Sequence, residues 1–296
     1  MRRFLISVSL LSLLSIYAPA QDLKSEHHEH AMSMSFAAVE QDWAKQRVDK
    51  SPRHQEWVQV KNGSRTINSF IVYPEVKTKA TAVVVIHEIF GMADWVRSLT
   101  DQVAEAGYIA IAPDLLSGMG PNGGGSSEFA DRTAVTQAVG KLPPDQVTAD
   151  LNAVADYVSK LPASNGKVAV AGFCWGGSQT FRFATNRPTL KAAFVFYGTG
   201  PDSKEAIAKI KAPVYGFYGG SDARVDATIP KSQDLMKEAG KTYEPVTYEG
   251  AGHGFMRAGE DPTVPEGTPE QKAMKEANKK ARDQAWARWK ELLKKL

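Results

Sequence analysis

Residues 168–177 have the sequence VAVAGFCWGG, which is typical of a strand, a sharp turn and the start of a helix. A short apolar run ends there in Gly-x-Cys-x-Gly-Gly, and a helix-like run follows over residues 178–186. Glycines permit the tight backbone of a strand-to-helix turn, and a nucleophile at the tip of such a turn is held in a strained conformation. We therefore predict that Cys174 lies on a sharp elbow at the end of a buried strand.

The helix after the elbow points its positive N-terminal end at the Cys174 sulfur. The Trp175 N–H is then expected to favour a thiolate and to donate to a substrate oxyanion. A lone cysteine is more often a small buried apolar residue. The flanking glycines and the strand-to-helix context favour the nucleophile instead.

Strand and helix patterns alternate along the chain on both sides of the elbow. Besides the elbow strand, strands are predicted at 57–60, 66–73, 81–86, 108–112, 192–197, 214–218 and 244–248. Helices are predicted at 94–106, 128–139, 144–160 and 203–209, and a capped final helix begins after Thr268. A glycine-rich loop at 116–127 is expected to be a lid or a rim. The fold class is α/β, with a mostly parallel, twisted sheet of about eight strands and helices on both faces.

Two further turns follow buried strands and carry polar residues. Asp222 follows the strand at 214–218, and His253 follows the last strand. The chain order of nucleophile, acid and histidine is that of the α/β-hydrolase fold. His253 is predicted to be the proton acceptor and donor, and Asp222 to orient its imidazole.

The N-terminus predicts export. Arg2 and Arg3 precede an uncharged run over residues 4–17, and Ala-Pro-Ala at 18–20 fits signal peptidase. Residues 1–20 are therefore predicted to be a signal peptide, which gives a periplasmic or secreted protein without stable membrane insertion after cleavage. An uncleaved anchor is the alternative.

The predicted mature chain divides into two parts. Residues 21–52 form a polar extension with a surface helix within 35–50, and residues 53–296 form one α/β domain. With a single cysteine, the 296-residue chain has no internal disulfide. The net charge of +3 arises in segment 270–295, which has nine Lys or Arg and four Asp or Glu. The remainder is slightly acidic, so no nucleic-acid partner is implied.

The extension contains a cluster of possible copper or zinc ligands: His27, His28, His30, Met32 and Met34. A non-catalytic alternative is therefore a periplasmic protein that binds metal with this tail or senses oxidants with its lone thiol. That alternative gives Asp222 and His253 no role. A flexible tail without bound metal is the favoured interpretation.

The sequence resembles the dienelactone hydrolase family over about residues 57–296. The resemblance is carried by the Glu-Ile-Phe-Gly loop at 88–91, the cysteine elbow, Asp222 and the Gly-His-Gly-Phe turn at 252–255. It implies hydrolysis of a dienelactone, an unsaturated enol-lactone carboxylate, to an open keto acid. No metal or organic cofactor is implied, and we expect a monomer acting on a small-molecule lactone or ester.

The resemblance also implies further site residues. Glu88 corresponds to a glutamate that holds the thiol in a resting state until substrate binds, and Arg132 and Arg257 correspond to arginines that bind the substrate carboxylate. Independently of the resemblance, the Ile89 N–H is expected to be the second oxyanion donor, because it lies in the loop after the strand at 81–86. Thr136 stands where the family can carry tyrosine, and Gly254 where it can carry serine. These two departures affect lactone specificity, so a broader small-molecule carboxylesterase is the alternative within the same class.

Overall fold

The computed structural model describes residues 41–296 of the chain. The predicted signal peptide and the cluster of histidines and methionines lie outside the described residues. The predicted helix at 35–50 lies partly inside them, and there it forms α1, Asp42–Asp49.

One eight-stranded sheet organises the described part of the chain. Its strands are β1 Gln55–Asn62, β2 Arg65–Val72, β3 Ala80–Ile86, β4 Ile109–Pro113, β5 Ser164–Phe173, β6 Ala193–Phe196, β7 Val214–Gly219 and β8 Tyr243–Tyr248. The spatial order is β1-β2-β4-β3-β5-β6-β7-β8. The β1–β2 and β2–β4 pairs are antiparallel, and all others are parallel. The predicted fold class is therefore confirmed.

The strand order reverses at β3, which pairs with β4 on one side and with β5 on the other. In open parallel sheets, ligands bind at the carboxyl ends of the strands on either side of such a switch point. The loop after β3 carries Glu88, and the turn after β5 carries Cys174. The topology thus brings these two segments to the same sheet edge.

Ten α-helices accompany the sheet within residues 41–296. In addition to α1, they are α2 Asp94–Glu105, α3 Arg132–Gly140, α4 Pro144–Ser159, α5 Trp175–Asn186, α6 Lys204–Ala208, α7 Ala223–Asp226, α8 Ile229–Glu238, α9 Phe255–Ala258 and α10 Pro269–Leu293. Residues of α1, α2, α9 and α10 pack in one apolar cluster, and those of α3 to α8 pack in another. In β3, Val84 belongs to one cluster and Val83 and Val85 to the other, as the two-residue period of a strand requires.

The termini of several helices differ from the sequence prediction. Helix α3 begins at Arg132 rather than at 128, because Asp131 caps it by accepting from the Ala134 N–H. Helix α5 begins at Trp175, directly after Cys174. Helix α8 was not anticipated. The capping box of α10, formed by Thr268 and Gln271, is confirmed.

The glycine-rich loop at 116–127 is anchored by two carboxylates. Glu128 accepts from the N–H groups of Asn122 and Gly124, and Asp114 accepts from the Ser126 N–H. The loop is therefore a rim beside the sheet edge, and hydrogen bonds to these two carboxylates hold it in place. No helix within residues 41–296 has both the length and the apolar character needed to cross a bilayer.

Candidate active site

Cys174 lies on the predicted elbow, between β5 and α5. Its φ of 57° and ψ of −119° place a non-glycine residue in a rarely populated region. Such a conformation costs about 1–3 kcal/mol and persists only where the surroundings enforce it. A Cβ added at Gly172 would lie 2.1 Å from the Gly176 carbonyl oxygen. A Cβ added at Gly176 would lie 2.4 Å from the His87 carbonyl oxygen. Both positions therefore require glycine, and Cys174 remains partly exposed at the tip.

His253 and Asp222 meet at the same sheet edge. The His253 Nδ1–H donates to Asp222 Oδ2 over 2.5 Å, although the two residues are 31 positions apart. Asp222 is buried, and its other carboxylate oxygen accepts from the Val225 N–H at the start of α7. The carboxylate thus fixes the tautomer and the orientation of the imidazole.

The Cys174 thiol lies near enough to His253 to act on the charge of its imidazole. Burial lowers the pKa of His253, but the hydrogen bonds and charges of Asp222 and Cys174 outweigh burial and raise that pKa to about 10. The imidazole is therefore protonated at neutral pH, and a protonated imidazole is a suitable partner for a thiolate. The structure thus brings all three predicted residues together at one sheet edge, with His253 bonded to Asp222.

Glu88 is buried beside these three residues and forms an ion pair with Arg257. Its Oε2 accepts from Arg257 Nε over 2.8 Å, and its Oε1 accepts a longer bond of 3.4 Å from the Tyr197 hydroxyl. Burial opposes the charge on Arg257, but the attraction of Glu88 outweighs it and raises the pKa of the guanidinium. The predicted modulator of the thiol and one predicted substrate-binding arginine therefore contact each other.

Arg132 joins the same group through Phe90. The centre of the Arg132 guanidinium lies 3.5 Å from the centroid of the Phe90 ring, and that of Arg257 lies 5.6 Å from it. Burial and the repulsion of Arg257 lower the pKa of Arg132 to about 10, against the attraction of Glu88. Arg132 thus remains a cation at neutral pH. Two guanidinium groups therefore lie against one aromatic ring, and one of them is paired with Glu88.

The two predicted oxyanion donors lie on the segments that meet at the switch point. Trp175 is the first residue of α5, so its N–H belongs to the helical turn that lacks intrahelical partners. Ile89 lies in a turn closed by the Gly91 N–H, which donates to the Glu88 carbonyl over 3.1 Å. Within residues 41–296, the Ile89 N–H donates no backbone hydrogen bond.

Tyr197 and His87 are site residues that the sequence analysis missed. Tyr197 is fully buried with a φ of 39°, and its ring lies edge-on to His253 at 5.1 Å between centroids. His87 is buried and stacks on the Trp175 indole at 5.5 Å. Each residue comes directly after a strand, β6 for Tyr197 and β3 for His87, and this position could have indicated that both lie at the site. Among residues 41–296, no three His, Cys, Asp or Glu side chains are grouped to hold a metal ion.

Comparison with known proteins identifies a family that the chain matches. The family model described as "Dienelactone hydrolase family" matches residues 67–296. A Salmonella typhimurium protein named provisionally as a carboxymethylenebutenolidase is 36% identical over 185 residues, which cover 58% of this chain and 67% of that protein. A Saccharolobus solfataricus protein with the same provisional name is 29% identical over 263 residues, with 78% and 94% covered.

Solved structures give the same result. The crystal structure of a protein from Klebsiella pneumoniae, named provisionally as a dienelactone hydrolase, matches with a TM-score of 0.68 and 26% identity. The match covers 82% of this chain and 99% of that one. Since the family match includes the strands and turns that carry the candidate triad, the chain is a hydrolase that belongs to the dienelactone hydrolase family.

Proposed function

We propose that this protein hydrolyses a lactone or ester of a small carboxylic acid through a thioester formed on Cys174. The observation that carries the proposal is the hydrogen bond between His253 and Asp222 beside the Cys174 thiol, which stands on a strained elbow. Nucleophile, general base and orienting acid in mutual contact are the arrangement that acyl transfer requires.

In the first half-reaction, the Cys174 thiolate attacks the carbonyl carbon while its proton resides on His253. The resulting oxyanion accepts from the Trp175 N–H and from the Ile89 N–H. When the carbon–oxygen bond breaks, His253 gives its proton to the leaving oxygen. In a lactone, that oxygen stays attached to the acyl group, so no fragment departs.

In the second half-reaction, His253 accepts a proton from water as the water oxygen attacks the thioester carbon. The carbon–sulfur bond then breaks, and the acid is released with the thiolate restored. Asp222 stabilises the imidazolium in both halves, because its carboxylate is buried and already bonded to Nδ1.

The charges beside the triad support an anionic substrate. The guanidinium groups of Arg132 and Arg257 both lie against the Phe90 ring, and Arg257 is paired with Glu88. A guanidinium is a suitable partner for a substrate carboxylate, such as that of an enol-lactone carboxylate. The pairing of Arg257 with Glu88 favours the second candidate, a broader carboxylesterase for neutral esters, since this guanidinium is already engaged.

We also propose that the protein is exported to the periplasm or secreted. The support is the pattern of residues 1–20 alone, with two arginines, an uncharged run and a small-x-small end. N-terminal sequencing of the protein purified from its native host tests this proposal. A mature start at residue 21 is expected, and an intact residue 1 would contradict it.

The proposed activity is tested by measuring hydrolysis of cis- and trans-dienelactone beside a neutral aryl ester. The wild type is compared with Cys174→Ala and with Cys174→Ser, which keeps a nucleophile of similar size. Lactone turnover that is lost in Cys174→Ala supports the lactone activity, and turnover of the neutral ester alone supports the carboxylesterase. Hydrolysis by Cys174→Ala at the wild-type rate would refute both.

A further inference from the structure

We propose that Ser126 is a positioning residue that sets the place of the Glu88–Gly91 turn over the elbow, and that Asp114 fixes the direction of its hydroxyl. The inference rests on the proposed function, because this turn carries the Ile89 N–H assigned to the oxyanion. Ser126 lies in the glycine-rich loop, and Asp114 follows β4 directly. Neither residue belongs to the triad.

Asp114 accepts hydrogen bonds from both the start and the end of the glycine-rich loop. It is 5% exposed, and its Oδ2 accepts from the Ser126 N–H over 2.7 Å. Its Oδ1 is bonded to the Ser126 hydroxyl at 2.7 Å and to the Leu116 N–H at 3.1 Å. A buried carboxylate with three donors is well satisfied, so it holds Ser126 in one place.

The direction of the Ser126 hydroxyl follows from the chemistry of its partners. A carboxylate only accepts, so the single O–H of Ser126 is donated to Asp114. The Ser126 oxygen keeps its lone pairs, and it accepts from the Met92 N–H over 3.0 Å. A relay therefore runs from the backbone just after the turn, through Ser126, to the carboxylate.

The contact between the two loops is close because glycines lie on both sides of it. Gly91 has a φ of 68°, and a Cβ built there would lie 2.4 Å from Ser126 Oγ. At Gly125, a Cβ would lie 2.1 Å from Asp114 Oδ2. The turn therefore rests directly on the serine, without a side chain in between.

The opposite side of the turn is held by His87. Its Nδ1–H donates to the Glu88 carbonyl over 2.7 Å, and its ring stacks on Trp175, the residue that supplies the other predicted oxyanion donor. The turn is thus fixed to the elbow by His87 and to the rim by Ser126. Loss of the serine hydroxyl leaves the Met92 N–H without its acceptor, so the turn is no longer attached to the glycine-rich loop.

Ser117 offers a matched control in the same region. Its hydroxyl donates to the Asp114 carbonyl over 2.5 Å and accepts from the Asn68 N–H over 2.9 Å. Like Ser126 it is buried and forms the same kind of relay, but its relay ends on β2 rather than at the turn. Ser117→Ala therefore removes a comparable hydroxyl without touching the turn.

The test compares Ser126→Ala and Ser117→Ala in the full-length mature protein. Both are expected to lower the midpoint of urea unfolding by similar amounts. Only Ser126→Ala is expected to lower kcat, by about 10-fold or more with KM changed by less than about twofold, since a displaced donor weakens transition-state binding. The rate of Cys174 alkylation by iodoacetamide, which forms no oxyanion, should stay at the wild-type value.

Equal losses of kcat in the two variants would overturn the inference, as would an unchanged kcat in Ser126→Ala. A parallel fall in alkylation would also overturn it, because the nucleophile and not the turn would then be displaced. If Ser126→Ala does not fold, Gly91→Ala disturbs the same contact from the other side and must show the same selective loss of kcat. Activity that survives Cys174→Ala would instead count against the proposed function.

Discussion

Arg257 and Glu88 form an ion pair inside the site, with 2.8 Å between Nε and Oε2. The two side chains are 14% and 4% exposed. Because both charges are removed from water, each depends on the other for compensation. A substrate carboxylate that approaches Arg257 must therefore compete with Glu88, and the pair connects the stability of the fold with the choice of substrate.

The first prediction concerns stability. Arg257→Ala is expected to lower the free energy of unfolding by about 3–5 kcal/mol, because it leaves the Glu88 carboxylate buried without its partner. Adding Glu88→Gln should recover part of this loss. Urea unfolding of the two single variants and the double variant measures the coupling between them.

The control for this cycle is the exposed pair Lys279 and Asp283, whose side chains are 70% and 54% exposed. Lys279→Ala should change the free energy of unfolding by less than about 1 kcal/mol, since solvent screens the interaction. If the Glu88 and Arg257 changes are additive, the proposed dependence of each charge on the other is wrong.

The second prediction concerns substrate charge. Glu88→Gln removes the carboxylate that competes with a substrate for Arg257, and it makes the net charge of the site one unit more positive. An anionic lactone should therefore bind more tightly. We expect its KM to fall by several-fold, while the KM of a neutral aryl ester stays within about twofold. Steady-state kinetics with both substrates provides the comparison. Equal shifts for both substrates would show that the pair does not select for charge.

The third prediction concerns pH. The pKa of His253 is raised from 6.5 to about 10 in the folded protein. The stability that this histidine contributes is therefore fully present below pH 6.5 and is lost as the pH rises through about 10. The gap in unfolding free energy between the wild type and His253→Gln should be largest near pH 6 and should shrink toward pH 10.

Asp222→Asn provides the control for the pH series. It removes one of the partners that raise the pKa of His253, so less stability should be lost between pH 6.5 and pH 10. Urea unfolding at several pH values measures all three proteins. A gap between wild type and His253→Gln that is constant or grows with pH would contradict the assignment of His253 as a stabilised imidazolium.

Local patterns in the sequence were sufficient to predict the sheet and to place the three candidate triad residues after its strands. The strand-ending turns at Cys174, Asp222 and His253 are short-range signals, because glycines and apolar runs next to each residue define them. Parallel strands then bring their carboxyl ends together. The capping box at Thr268 was predictable for the same reason.

The contacts made by these predicted residues could not be inferred in this way. Glu88 and Arg257 are 169 residues apart, and their pairing depends on how the short helix α9 packs against the turn after β3. The positive φ of Tyr197 is enforced by its surroundings, and no local pattern signals it. The start of α3 moved to Arg132 because Glu128, a good helix former, binds loop amides instead.

The last prediction concerns the elbow itself. Gly176→Ala places a Cβ 2.4 Å from the His87 carbonyl oxygen and 2.5 Å from that of Ile86, both of which are backbone atoms that cannot turn aside. Either α5 or the segment after β3 must therefore move, which displaces Trp175 relative to Ile89. We expect destabilisation by about 1–3 kcal/mol, as for overpacked cores, and a loss of kcat of about 100-fold or more.

Gly140→Ala provides the control for the elbow, since a Cβ at Gly140, the last residue of α3, meets no atom within 4 Å. Alanine favours a helix over glycine by up to about 1 kcal/mol, so this variant should be as stable as the wild type or slightly more stable, with an unchanged kcat. Thermal unfolding and ester hydrolysis of the two variants separate the outcomes. If Gly176→Ala keeps wild-type kcat, the close approach of α5 to His87 does not position the oxyanion donors.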